Sequence, residues 1–159
     1  MKRKIIVCII LISLLISSLP ASMQGVPTQG FFEPTDILNI ISFFDGSHLI
    51  EMKPVVGRAS SASVTGSKNY YYLDGDGNIS WDAVITGTFT FNGTTSYCTA
   101  SSCTTTVYSG NWHEAVNNAS YAGNSAFASV TMELRFLFIV IKTENLSLTL
   151  TCDASGNLS

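Results

Sequence analysis

The stretch that most restricts the fold runs from Ile79 to Phe91. Ile79, Trp81, Ala83, Ile85, Gly87, Phe89 and Phe91 occupy alternate positions, with Ser80, Asp82, Thr86, Thr88 and Thr90 between them and Val84 the one apolar exception. A period of two sends successive side chains to opposite faces of a pleated strand, and a helix cannot gather such a pattern onto one side. The segment is read as a half-buried strand with a core face and a threonine-rich solvent face. Asn92-Gly93 follows, a pair that tolerates positive φ and predicts a tight two-residue hairpin turn.

The same period recurs twice. Ala126, Ala128, Val130, Met132, Leu134, Phe136 and Phe138 form one apolar row, with Thr131, Glu133 and Arg135 on the other face. Beyond residues 142–145, Leu146, Leu148, Leu150 and Cys152 form another, with Ser147, Thr149 and Thr151 opposed. Residues 69–73, 104–108 and 112–119 are shorter strand candidates. About seven to eight strands separated by turn signals predict an all-β fold, an antiparallel β-sandwich that is immunoglobulin-like or related. Ahead of it, Thr35 as N-cap, Asp36 in a first turn and Gly46 at the end suit a short amphipathic helix carrying Ile37, Leu38, Ile40, Ile41 and Phe44. The isoleucine content supports a competing strand that ends at the Asp45-Gly46 turn. Residues 54–67, rich in small and polar side chains, read as a linker or an edge strand.

The first residues belong to a different kind of segment. Lys2, Arg3 and Lys4 precede an apolar run over residues 5–19 broken only by serines, and Pro20, Ala21 and Ser22 follow. A basic start, a short apolar stretch and small residues after it describe a secretory signal peptide. The run is shorter than the roughly 20 residues a spanning helix needs; an uncleaved leader acting as a membrane anchor is the alternative. The expected organisation is a signal peptide over residues 1–22, a lead-in with the short helix over 23–68, and a β-sandwich domain over 69–159, secreted to the extracellular space.

Charge and cysteine content are interpreted in that setting. The chain holds 8 Lys+Arg against 11 Asp+Glu, a net charge of -3, and only 12% charged residues. Three of the basic residues lie in the leader, so the mature chain has 5 against 11 and a charge of about -6, which disfavours nucleic acid and anionic lipid. Cys98, Cys103 and Cys152 follow the leader, and export favours disulfides. With a two-residue loop at Asn92-Gly93, Phe91 faces Thr94 and Gly87 faces Cys98, which points Cys98 into the core beside Ile85 and Phe89. Cys152 also falls on an apolar face. A Cys98–Cys152 bridge would close a loop of about 50 residues and contribute on the order of 4 kcal/mol. The rival Cys98–Cys103 pairing closes a small loop; in the first pairing Cys103 is the unpaired thiol.

Chemistry-bearing motifs are sparse. Asp74, Asp76 and Asn78, with Gly77 at a bend and Ile79 at an apolar position, resemble part of a calcium loop. Tyr72 and Ala83 stand where its opening and closing acids belong, so the segment is read as a glycine-rich hairpin turn. His48 and His113 are the only histidines. Cys103 with His113 is the one nucleophile–base pairing on offer, read as a cysteine beside an exposed strand histidine; Glu114 points away from His113. Gly123-Asn124-Ser125-Ala126-Phe127 lacks the last glycine of a nucleophile elbow, and no Cys/His spacing suits zinc. Tyr70, Tyr71 and Tyr72 with Trp81 and Trp112 could form an aromatic platform, although Trp81 belongs to the core row and Tyr71 faces opposite to its neighbours. Asn78, Asn92, Asn118, Asn145 and Asn157 head glycosylation sequons.

Several segments form an ordered set: Ile79-Ser80-Trp81, Gly87-Thr88-Phe89-Thr90-Phe91-Asn92-Gly93, Tyr97-Cys98-Thr99, Ser109-Gly110-Asn111-Trp112, Ala122-Gly123-Asn124-Ser125-Ala126, Leu148-Thr149-Leu150-Thr151-Cys152 and Gly156-Asn157-Leu158-Ser159. Over about residues 70–159 the chain resembles small secreted β-domain proteins of Gram-positive bacteria whose function is uncharacterised. The resemblance implies export and a β-domain, and carries no catalytic residue. Phe138 departs from its pattern, standing in the 137–141 turn where a glycine would suit a hairpin tip. The expected function is a non-enzymatic extracellular binding or surface-interaction module. It would have no cofactor or metal, an extracellular protein or glycan as partner, and membrane contact only through an uncleaved leader. The alternatives are a small secreted hydrolase using Asp82, Glu114 or Asp74 with Asp76 as acids, and a secreted antagonistic protein, which the acidic charge opposes.

Overall fold

The computed structural model describes residues 34–159. The expected signal peptide over residues 1–22 and residues 23–33 lie outside the described residues. After a 3₁₀ turn at Pro34–Asp36 come nine strands: β1 (Ile37–Ser42), β2 (His48–Met52), β3 (Val55–Ala59), β4 (Ser63–Leu73), β5 (Ile79–Phe91), β6 (Ser96–Val107), β7 (Trp112–Ala122), β8 (Ser125–Phe136) and β9 (Ile139–Thr151). They form two antiparallel sheets, one ordered β1-β2-β4-β5-β6 with β3 also on β4, the other ordered β7-β8-β9. The fold is an all-β sandwich. Each sheet is a meander of chain neighbours apart from the β3 excursion, without the Greek-key crossovers of the immunoglobulin sandwich.

Two expectations for the N-terminal part are corrected. The short helix is a strand: Ile37 pairs with Met52 and Ile41 with Leu49. β-Branched residues fit a pleated surface, and the turn ahead of β2 brings them alongside it. In that turn the Phe43 N–H donates to the Ser47 carbonyl at 2.9 Å, and Gly46 takes φ +82°. Residues 37–67 are also not a lead-in, because β1, β2 and β3 belong to the larger sheet. β2 and β3 share one edge of β4, β2 pairing with its second half and β3 with its first. Lys53-Pro54 separates the two, proline having no N–H to give a ladder.

The alternation of β5 sorts as expected. Trp81, Ala83, Ile85 and Phe89 are buried between the sheets, facing Ala126, Ala128, Val130, Met132, Leu148 and Leu150 from the other layer. Each large aliphatic or aromatic side chain buried here contributes about 1.5–3 kcal/mol. Tyr72 stacks on Trp81 at 5.0 Å between centroids, and Trp112 stands edge-on to Tyr72 at 5.2 Å. Gly87 leaves no room for a side chain; a Cβ there would lie 2.6 Å from the Phe89 ring and 3.2 Å from the Ala126 methyl of the facing layer.

The β5–β6 turn is longer than expected. Residues 92–95 form the loop, the Asn92 side chain accepting from the Thr94 and Thr95 N–H groups at 3.0 and 2.8 Å. Phe91 therefore pairs with Ser96, and Cys98 with Phe89 rather than Gly87. The slip is an even number of residues, so Cys98 still points inward. The apolar row of β8 was expected to continue through Phe138, but burial ends before it does: Phe136 and Phe138 are exposed. The ribbon they belong to projects past the facing sheet.

Candidate binding cleft

The two layers are hydrogen-bonded along the side where β6 faces β7. There the Cys98 N–H of β6 donates to the Gly123 carbonyl in the β7–β8 turn at 2.8 Å. The Asn117 amide also reaches the Cys103 carbonyl at 3.3 Å. On the opposite side β9 is an edge strand paired only to β8, and the layers gape. The gap is a cleft of about 410 Å³ lined by Ile41, Leu49, Leu146, Glu51, Lys68, Tyr70, Ser147, Thr149, Thr151 and Ser159. Ser159 closes one end of it by pairing with Thr151, its carbonyl accepting at 2.9 Å and its N–H donating at 3.0 Å.

A charged pair forms the cleft floor. Lys68 occupies an inward position of β4, in the row Val64, Gly66, Lys68, Tyr70, Tyr72, and is only 5% exposed. Its ammonium lies 2.9 Å from Glu51 Oε1, and the Tyr70 hydroxyl donates to the same oxygen at 3.2 Å. The register makes this arrangement: Glu51 stands opposite Tyr70 across β2 and β4, and a long side chain reaches the diagonal neighbour. Burial, reinforced by the Glu51 charge, pushes the Tyr70 phenol well above its ordinary range, against a main-chain hydrogen bond from Thr149 that opposes the shift. The phenol stays protonated, as a donor. The cleft thus combines a fixed ion pair, one aromatic ring, an apolar rim and a row of hydroxyls. Neither Glu51 nor Lys68 stands out while residues 23–68 are read as a lead-in. The signal that could have found them is a lysine on the core face of an alternating strand.

A second polar knot ties the layers at one end of the sandwich. Lys142 Nζ lies 2.5 Å from Asp45 Oδ2 and 3.1 Å from Glu144 Oε1, and donates to the Tyr72 hydroxyl at 2.5 Å. Tyr72 in turn donates to Ser47 Oγ at 2.8 Å. Hydrogen bonds from Lys142, then from Ser47, hold the Asp45 carboxyl well below the usual carboxylate range. Burial works against the Lys142 charge, but Asp45, Tyr72 and Glu144 outweigh it and raise its pKa. A lysine held charged is a tie rather than a base.

The motifs singled out in the sequence are scattered. Asp74 heads a turn: its Oδ1 accepts from the Asp76 and Asn78 N–H groups at 3.0 and 2.9 Å, and the Gly77 N–H donates to its carbonyl. That carboxylate caps its own loop. Among the described residues no group of three or more His, Cys, Asp or Glu could hold a metal. Asp82 is buried on the outer face of the larger sheet, accepting from the Tyr108 hydroxyl at 2.8 Å. Glu114 accepts from Thr105 and, at 3.0 Å, from Asn117. Thr105 is paired with the inward Ala83 and Thr106 with Asp82, so Glu114, on β7, meets the inner side of the larger sheet while Asp82 lies on its outer face. Burial, then the nearby Glu114 charge, pushes the Cys103 thiol up to about 11. A thiol in that state is a poor nucleophile at neutral pH. Trp81 and Trp112 are both buried and offer no exposed platform, while Tyr71 lies on the outer face beside Asp82. Asn78, Asn92, Asn118, Asn145 and Asn157 are all exposed.

Cys98, Cys103 and Cys152 are free thiols in the structure, Cys98 and Cys152 both buried in the core. The Gly123-Asn124 turn lies between these two, with the Cys98 N–H on the Gly123 carbonyl and the Cys152 N–H on the Asn124 carbonyl. Burial raises both thiols, and for Cys152 the Asp153 and Cys98 charges add to it.

Compared with protein-family models, with curated proteins and with solved structures, the chain finds no match.

Proposed function

We propose that the protein is a secreted, non-enzymatic binding module that takes a glycan in the cleft between β9 and the β2–β4 edge. The observation that carries this reading is the Glu51–Lys68–Tyr70 group at the floor of a hydroxyl-lined cleft. Sugars present dense, directional hydroxyl donors and acceptors on a partly apolar ring. An orienting ion pair, a phenol and the Ser147, Thr149 and Thr151 hydroxyls match the first, and Ile41, Leu49 and Leu146 match the second. The non-enzymatic reading is supported by Asp82, Glu114 and Asp74, the acids a hydrolase would use, standing apart from one another and outside the cleft lining. Export rests on the basic and apolar leader. In an oxidising compartment Cys98 and Cys152 are proposed to pair across the Gly123-Asn124 turn.

The test is an array of immobilised glycans probed with the intact protein and with the Glu51→Gln/Lys68→Met double variant. The native protein is expected to retain a defined subset of glycans. The double variant, whose shape is kept and whose charge is removed, is expected to lose them while melting within a few degrees of the native chain. Failure of the native protein to retain any glycan, or equal retention by both, overturns the reading.

A further inference from the structure

The hairpin that joins β8 to β9 ends in Phe136-Leu137-Phe138-Ile139-Val140-Ile141, six consecutive apolar residues that are all exposed. A strand leaving a sandwich ordinarily keeps a polar outer row; this ribbon carries exposed apolar side chains on both faces, with Arg135 beside Val140 as the charge nearest the tip. Its tip departs further from what a free hairpin prefers. Phe136 pairs with Ile139, and between them Leu137 and Phe138 hold φ +48° and +70°, the left-handed region in which asparagine and glycine are the comfortable residues. A second loop presents an apolar side chain at the same end. Phe44, fully exposed, lies in the β1–β2 turn, and Lys142 at the base of the hairpin holds that turn through Asp45 and lies 5.7 Å from the Phe43 ring centre.

We propose that this end of the protein docks into a phospholipid bilayer, with the 136–141 tip and Phe44 entering the boundary between headgroups and acyl chains. Three observations choose lipid over a protein partner. A groove on a protein covers one face of a ribbon, whereas acyl chains surround both, and here exposed apolar side chains project from both, Phe136 with Ile139 from one and Val140 from the other. The length also fits. From the Leu134–Lys142 pair to the tip is three residues, about 10 Å at roughly 3.4 Å per residue, and interfacial segments reach about 5–10 Å into the bilayer. Finally, no charge lies beyond the Phe136–Ile139 pair: Arg135, opposite Val140, stands one rung behind it with a side chain long enough to reach back toward the headgroups, and Lys142 stands further back still. Arg135 is paired with Glu133 at 2.8 Å, and Lys142 with Asp45 and Glu144. Those cations are already neutralised, so docking is driven by apolar burial and does not need anionic lipid, which suits an acidic chain.

The experiment uses the full chain with phosphatidylcholine vesicles. In a Phe138→Trp variant the introduced indole is read by difference from the native chain, whose Trp81 and Trp112 are buried. Vesicles should shift its emission to the blue, and bromine atoms placed on the acyl chains near the headgroups should quench it. A Leu137→Asn/Phe138→Gly variant keeps the turn and removes the apolar tip; its partition into vesicles should fall about tenfold or more relative to the native chain, since burying one phenylalanine side chain is worth at least that factor. Raising salt from about 0.1 to about 0.5 M should leave native partition essentially unchanged, a dependence that paired charges and neutral lipid imply. All these chains carry the apolar residues 5–19, so only differences among them report on the hairpin. An indole that stays in water beside vesicles overturns the proposal, as does equal partition of the native and double-variant chains. An emission shift that depends on protein concentration without lipid also overturns it, because a second copy then covers the tip.

Discussion

The hairpin tip allows a sharp test of whether this chain gives up stability for the surface it exposes. Leu137 and Phe138 both sit at positive φ. For L-residues other than glycine and asparagine, that conformation costs roughly 1–2 kcal/mol each. Their side chains are 73% and 100% exposed, so replacing them removes almost no packing. Leu137→Asn/Phe138→Gly supplies the residue pair that a two-residue turn of this hand prefers. Glycine loses about 0.5–1 kcal/mol of chain entropy on ordering, which leaves a net gain of about 2 kcal/mol. For a folded unit of about 130 residues that gain corresponds to a rise in Tm of roughly 7 °C. The assay is thermal unfolding followed by circular dichroism and by calorimetry, run beside a Leu137→Ala/Phe138→Ala control that removes the same apolar surface but keeps the strained φ. The control should melt close to the native chain. A fall or no change in Tm for the Asn-Gly variant would refute the reasoning. So would an equal rise in the control, because the gain would then come from removing exposed apolar surface and not from relaxing the backbone.

Three further outcomes are expected. Glu51→Ala should destabilise the fold by about 3–5 kcal/mol, because it leaves the buried Lys68 charge without its partner, whereas Glu51→Gln/Lys68→Met should be nearly neutral; a denaturant double-mutant cycle reads the difference, and additivity would contradict the ion-pair account. Alkylation of Cys103 by iodoacetamide should be slow at pH 8 and rise about tenfold per pH unit until the thiol titrates near 11. The sign follows from the raised pKa: the folded state keeps the proton longer than the unfolded chain, so this group supports the fold below the ordinary thiol pKa and withdraws that support as pH climbs toward 11. Rapid labelling of Cys103 at pH 8 in the folded protein would contradict its burial. Peptide mapping of protein oxidised under native conditions should recover Cys98 joined to Cys152; a Cys98–Cys103 peptide would show that the Gly123-Asn124 turn does not bring the first two together.

Much of the architecture was legible because the side-chain period of a strand is fixed by geometry. The rows Trp81–Ile85–Phe89, Ala126–Val130–Met132 and Leu148–Leu150 were assigned to the core from alternation alone, and they are buried. Cys98 was placed on the correct face even though the turn at Asn92 proved longer, because parity survives a slip of two residues. What period could not reveal was pairing. Ile37, Leu38, Ile40 and Ile41 suit a helix or a strand equally well by spacing, and the choice came from β2 lying within reach across a short turn. Glu51 and Lys68 look like ordinary surface charges until β2 and β4 are set side by side. Their meeting links residues 17 apart in the chain (68 minus 51).

The amino-acid order by itself determined that this chain folds as layered antiparallel strands and which face of each long strand turns inward. Those properties depend on near neighbours, through the pleat and the turn residues. Only the tertiary structure decided that one side of the sandwich gapes around an ion pair, that the candidate acids stand apart, and that the Phe136–Phe138 end of an apparent core row emerges into solvent. Each depends on how the two sheets are set against one another. Alternation says which way a side chain points, and only the facing layer determines whether anything is there to cover it.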